Sequence, residues 1–332
     1  MTRLAKTLIA GSALAVLTAG AAQAQYPIFT GGERGSYFGT FGPLLLEILD
    51  REFFDYTLQT SAGSGENIEQ VLANPQAIGM TQTDVLAYQT DQDPALSDSI
   101  VIIRNDVAHE CLYAVTSEEN LERLGNWGDV RAYARRLQFA LGPEASGSAR
   151  TFQFLQTFDE RLAGARRVSY MDSTDDAINA VISGDADIAF FVQFADTSND
   201  RFETINDNRL AFIPVIDRTI LRQRFGEDRA YVPLEVKVTS AGLLSWSGVE
   251  RVLTACTPLA YITGSPDLLD SGSDAQLDQE DMIAILRDSS LEDLQPEADW
   301  FQSMLDDVVE VSGAGLDTIL AEVDQAAEQV FD

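Results

Sequence analysis

Apolar positions along this chain recur in two alternating rhythms, one of period two and one of helical spacing. Tyr26 to Phe29 reads as a short strand, followed by a Gly-rich turn (Gly31, Gly32, Gly35, Gly39) and by Leu44, Leu45, Ile48 and Leu49 at helical spacing. A second strand is predicted over Tyr56 to Thr60, then a small-residue turn at Ser61, Gly63, Ser64 and Gly65 and a helix from Glu66 to Ala73. A third strand, Ala77 to Thr81, runs out into Gln82-Thr83-Asp84 and a polar loop. Strands alternating with helices in this way predict a parallel α/β architecture.

The middle of the chain repeats the plan. Leu137 to Leu141 reads as a strand, Gly142 to Ser148 as a small-residue turn and Arg150 to Phe158 as a helix. Later, Asp175 to Ser183 reads as a helix stopped by Gly184, and Ala186 to Phe191 as a strand ending near Gln193. Each half thus turns from a helix into a strand that runs out to a glutamine, Gln82 in one and Gln193 in the other. The expected organisation is two similar α/β lobes, residues 25–112 and 113–255, with 256–332 forming a return and C-terminal helices packed on the first lobe.

Two strand-like segments, Cys111 to Ser117 and Cys256 to Thr263, sit where the chain would cross between lobes, and both begin with cysteine. As neighbouring hinge strands they would bring Cys111 and Cys256 together; the alternative is two buried free thiols. From Leu277 onward the chain reads as helical and acidic, with Met282, Ile283, Ile285 and Leu286 and later Leu305, Val308 and Val309 as its apolar positions.

The first 24 residues change the picture. Arg3 and Lys6 precede an apolar run from Leu8 to Ala22, and Ala22-Gln23-Ala24 completes the pattern of a Sec-type signal peptide, with cleavage expected before Gln25. No cysteine stands at that site, so no lipid anchor is expected. Export to the periplasm places the two cysteines in an oxidising compartment, where a disulfide is allowed. No later apolar run reaches the roughly 20 residues that span a bilayer, so the mature chain is not expected to insert into the membrane. Without the leader, 20 basic residues face 53 acidic ones, a net charge of −33. Such a surface repels nucleic acid and anionic membranes.

Four stretches in order, TGGERGSYFGTFGPLLLEIL from Thr30, SGENIEQVL from Ser64 leading to AIGMTQTDV, GPEASGSARTFQFL from Gly142 and GDADIAFFVQ from Gly184, resemble the TAXI-type solute receptors of tripartite ATP-independent periplasmic (TRAP) transporters. The resemblance covers roughly residues 28–195 and continues more weakly beyond. It implies an α/β fold of the type II periplasmic-binding-protein kind, with two lobes, a cleft and two hinge strands. It also implies a small anionic ligand, a carboxylate or an amino acid such as glutamate, delivered to a TRAP membrane permease. Carried over by position, the family's first-loop Thr-Tyr pair falls on Ser36 and Tyr37, its Ser and Asn before the second helix on Ser64 and Asn67, and its Gln-x-Asp element on Gln82 and Asp84. Its Gly-Ser-Gly-Thr turn becomes Ser146-Gly147-Ser148-Ala149. The chain departs from the pattern at Glu33-Arg34 and at Ala149.

The residues support the same chemistry on physical grounds. Gly-rich turns that open helices present unpaired N–H groups and the positive end of the helix dipole, so three of them facing one cleft would hold an anion. Taken singly, each turn is accounted for by helix capping alone. Arg34 and Arg150 flank these turns and could grip a carboxylate through two parallel hydrogen bonds, or pair with the chain's many acids. Tyr37, Phe191 and Gln193 are further candidates for the cleft wall; core packing is the other account of Phe191. No cofactor or metal is expected, since one histidine and two distant cysteines make a poor zinc site. An enzyme is not expected either: His109 is the only histidine, and neither G-x-S-x-G nor a phosphate-binding G-x-x-x-x-G-K-[ST] is present. A hydrolase with an unrecognised site is the rival class. A receptor for an ABC importer or a sensor would keep the fold and change the partner.

Overall fold

The computed structural model describes residues 25–33, 35–226, 228–240, 246–307, 309–310, 316–317 and 320–321. Residues 1–24, read from the sequence as a signal peptide, and the site candidate Arg34 lie outside them.

Lobe 1 is built on β1 (Tyr26–Phe29), β2 (Tyr56–Gln59), β3 (Ile78–Gln82) and β4 (Ile100–Arg104). Lobe 2 is built on β5 (His109–Ser117), β6 (Gln138–Leu141), β7 (Arg167–Tyr170), β8 (Ile188–Gln193) and β9 (Leu210–Pro214). A two-residue ribbon, β10 (Arg224–Phe225) with β11 (Asp228–Arg229), precedes β12 (Val232–Lys237), the 14-residue β13 (Arg251–Gly264) and β14 (Val309–Glu310).

The pairing repeats between lobes. In lobe 1, β1 lies parallel to both β2 and β3, and β13 enters antiparallel between β3 and β4. In lobe 2, β6 lies parallel to both β7 and β8, and β5 enters antiparallel between β8 and β9. Each lobe therefore has the order second, first, third, incoming, fourth, where the incoming strand arrives from the other lobe. This is the type II periplasmic-binding-protein arrangement, and the α/β class expected from the alternating rhythms holds. The central strand β3 is covered on both faces and is buried at all five positions, whereas the edge strands β2 and β7 have exposed residues.

β5 and β13 pair with each other only at Cys111–Cys256, Glu110–Thr257 and His109–Pro258. These two strands are the hinge, and Cys111 is bridged to Cys256 across it, with Cα atoms 3.9 Å apart. Behind the hinge, Asp84 accepts hydrogen bonds from Thr151 Oγ1 at 2.7 Å and from the Tyr231 hydroxyl at 2.8 Å, and its backbone N–H donates to Thr257 Oγ1.

The tail partly departs from expectation. Helices Asp274–Asp288 and Leu291–Leu294 pack on β4 and on helix Gly42–Arg51 of lobe 1. Helix Asp299–Asp307 instead lies against β12 of lobe 2, while Phe301 meets Phe41 of lobe 1 edge-on at 5.8 Å. Phe301 and Met304 are three apart, so they share one helix face, and both are buried in the core shared by the lobes. Helix Thr83–Gln92 also begins at Gln82 with no polar loop between.

Candidate functional site

Between the lobes lies a cavity of about 280 Å³. Its lobe-1 wall carries Gly31, Gly32 and Gly35 of the first turn, Ser36 and Tyr37 at the start of a π-helical turn (Tyr37–Phe41), and Gly63, Ser64 and Gln82. Its lobe-2 wall carries Ser146, Gly147, Ser148, Thr174, Gln193 and Arg201, and Glu110 closes the hinge side. All three glycine- or serine-rich turns singled out in the sequence thus face one space.

They do so because each turn opens a helix. Gly63-Ser64 begins helix Ser64–Ala73, Ser146-Gly147 begins helix Gly147–Phe158, and Thr174 and Asn199 stand at the starts of helices Thr174–Ser183 and Asp200–Asp207. Four positive helix poles converge on the cavity. Three have acidic residues in their own first turn: Glu66, Asp175 with Asp176, and Asp200 with Glu203. Helix Gly147–Phe158 has none, so its pole is the least compensated and faces the cavity through Gly147 and Ser148.

The serines fix this geometry. Ser146 Oγ accepts from Ala149 N and caps the helix, while Ser148 Oγ accepts from Val192 N at 2.9 Å and ties the helix start to β8. Ser64 Oγ accepts from Gln82 N at 3.3 Å, joining the second turn to the end of β3. Tyr37 donates its hydroxyl proton to Glu110, and both residues are buried. Burial pushes the Glu110 carboxyl up to about 8, helped by the Asp84 carboxyl nearby and opposed by hydrogen bonds from Tyr37 and Gln82. The Tyr37 hydroxyl is itself raised far above its ordinary value, first by burial and then by Glu110. At neutral pH the hinge side of the cavity therefore carries no full negative charge from Glu110.

Seven residues foreseen from the sequence stand in the cavity wall: Ser36, Tyr37, Ser64, Gln82, Ser146, Ser148 and Gln193. Four do not. Asn67 is fully buried beneath the wall, where its amide donates to Thr30 O and Met80 O, each at 2.6 Å, so it holds the first turn against β3. Asp84 is turned away into the lock behind the hinge. Arg150 lays its stem along Gly65 and donates to Gln153 on its own helix. Phe191 points to the opposite face of β8 from Phe190 and stacks on Tyr113 at 5.3 Å in the core, whereas Val192 and Phe194 reach the wall.

Among the described residues, the cation in the wall is one that the sequence did not single out. Arg201, in the first turn of helix Asp200–Asp207, donates through Nε to Asp175 at 2.7 Å and through Nη1 to Gln193 Oε1, with its guanidinium 5.9 Å over the Phe191 ring. Thr30, Thr174, Asn199 and Glu110 also escaped notice. Only their position, next to a helix start or beside a hinge cysteine, could have flagged them.

No protein-family model and no curated protein matches the chain. Among solved structures it is similar to a periplasmic transporter (10% identity, TM-score 0.49, covering 94% of this chain and 96% of the other). It is also similar to the GluR0 ligand-binding core in complex with L-glutamate (9%, TM-score 0.45, 83% and 97%). A third similar structure is MatC from Rhodopseudomonas palustris with bound malate (12%, TM-score 0.46, 93% and 99%). The fold assignment rests on the repeated strand order and the two hinge strands. Among the described residues no helix is long and apolar enough to cross a membrane, and no group of three or more His, Cys, Asp or Glu side chains could hold a metal ion.

Proposed function

We propose that this chain is an exported receptor that closes its two lobes on a small anionic solute and catalyses no reaction. The observation that carries the reading is the cavity itself: it lies between the lobes and gathers the least compensated helix pole, that of Gly147–Phe158, the Arg201 guanidinium and a protonated Glu110. Its volume falls near the lower end of the range of about 300–1,000 Å³ usual for ligand pockets, which favours a solute of a few carbons. The bound anion adds contacts to both lobes and favours closure by its differential affinity for the closed form. The non-catalytic reading is supported by the wall chemistry. Its serines serve as caps and ties, and the chain's one histidine, His109, is on β5 outside the wall.

The TRAP assignment is the narrower part of the proposal and rests on the four ordered sequence motifs. The solute would be a carboxylate or an amino acid, and the partner an ion-driven membrane permease. Uptake into proteoliposomes tests it: receptor-dependent transport driven by a sodium or proton gradient supports TRAP, while a requirement for ATP hydrolysis assigns the receptor to an ABC importer.

A further inference from the structure

The chain as a whole is strongly acidic, and its largest local excess of basic residues lies in one stretch. Residues 123–167 hold eight arginines against four acidic residues, whereas the rest of the chain holds 14 basic residues against 49 acidic ones. Folding brings four of these arginines to one groove of lobe 2. A groove of about 590 Å³ lies between the end of helix Trp127–Tyr133 and the turn after helix Gly147–Phe158; its lining includes Arg131, Tyr133, Arg135, Arg136, Glu160 and Arg161. The interlobe cavity lies at the other end of helix Gly147–Phe158, 12 residues or about 18 Å away.

The arginines of this stretch are not equivalent, and Arg123, Arg166 and Arg167 lie outside the groove lining. Arg131 is used internally, bridging the buried carboxylates of Asp159 and Asp217. Arg123 lies 5.5 Å over the Tyr133 ring and 3.8 Å from Asp187. Arg135, Arg136, Arg166 and Arg167 are exposed, and none has an ion pair among the described residues. Arg135 is also placed: its stem runs so close to Gly164 that a Cβ there would lie 2.8 Å from Cγ and 2.9 Å from Nε. A side chain at position 164 would push the guanidinium off its seat.

We infer that this arginine groove is a docking surface for a carboxylate-rich segment of a partner protein. Guanidinium groups match carboxylates in pairs, and a groove selects a protruding segment over a flat surface. An extended anionic membrane would face the acidic remainder of the chain as well as the groove, whereas a short acidic segment need meet only the groove. The inference is independent of what the interlobe cavity binds.

The test uses a fluorescent peptide of ten glutamates at physiological ionic strength. There the Debye length of about 8 Å hides the acidic remainder of the chain from a peptide seated in the groove. The peptide should bind the full protein, and the double variant R135E/R136E, with both positions exposed, should melt with wild type yet bind at least tenfold more weakly. Gly164→Val, which changes no charge, should weaken binding several-fold by displacing Arg135. Absence of peptide binding, binding that survives R135E/R136E, or R135E/R136E-sensitive attachment to phosphatidylglycerol vesicles without peptide binding would each overturn the inference, the last in favour of a lipid surface.

Discussion

Gly147 and Gln82 meet across the lobes so closely that a Cβ on Gly147 would lie 2.1 Å from the Gln82 side-chain oxygen and 3.0 Å from Ser64 Oγ. The lobes thus touch at this point, and any larger residue at 147 must displace the buried Gln82 amide. Gly147→Val should hold the lobes apart. Small-angle scattering should then show no ligand-induced compaction, and solute affinity should fall at least tenfold, about 1.4 kcal/mol. Normal compaction in the variant would show that closure does not pass through this contact.

Among the described residues, Arg201 supplies the only formal positive charge in the cavity wall. Its ion pair with Asp175 is half in solvent and contributes about 0–1 kcal/mol to the fold. Arg201→Ala should therefore melt close to wild type while binding an anionic solute at least tenfold more weakly by calorimetry. Arg150→Ala, outside the wall, should change affinity little. The reverse ranking would return the anion-binding role to Arg150.

Stability should depend on pH through Glu110. Its carboxyl titrates near 4.5 in the unfolded chain and at about 8 in the folded one, chiefly because it is buried. Between those values the folded chain holds the extra proton, so this contribution is complete below about 4.5 and is lost as pH rises to about 8. Asp84, also raised by burial, acts in the same direction. Glu110→Gln should flatten the fall in denaturation midpoint between pH 5 and 8, as read by urea titrations. An unchanged slope would mean that Glu110 is ionised in the folded state.

The Cys111–Cys256 bridge closes a loop of 145 residues across the hinge. Chain entropy sets the stabilisation from such a loop at about 5 kcal/mol. The double variant C111S/C256S should melt well below wild type and match reduced wild type; equal melting of all three would mean that the bridge constrains the unfolded chain little.

Asp84 separates framework from site. Asp84→Ala strands the Thr151 and Tyr231 hydroxyls in the interior, at about 1–3 kcal/mol for each unsatisfied buried group. Asp84→Asn keeps an acceptor and should lose less. Chemical denaturation reads both, and solute affinity measured well below the melting point should stay within a few-fold of wild type.

Much of the fold was legible because short apolar runs and helical spacing report burial, and burial decides which strands are central. β3 and β8 were read nearly in full for that reason. The small-residue turns were legible as helix starts, and helix starts are what the cavity is made of. Side-chain direction was not legible. Asp84 and Asn67 sit in motif positions, yet their polar atoms satisfy buried backbone and hydroxyl groups, a demand invisible until the elements pack. Arg201 escaped because its role depends on Asp175 and Gln193 arriving from two other elements. The end of the tail was misplaced because an amphipathic helix announces an apolar face without naming the surface that covers it.

The proposed function requires that the interlobe cavity take a small anionic solute. A thermal-shift screen of the purified protein against carboxylates, amino acids, sulfonates and phosphates, run beside Arg201→Ala, tests it most directly. A ligand that binds only the native state must raise its melting temperature. A small carboxylate or amino acid should give a rise that shrinks or vanishes in Arg201→Ala. A rise that persists undiminished in the variant, or a response only to uncharged or cationic compounds, would contradict it.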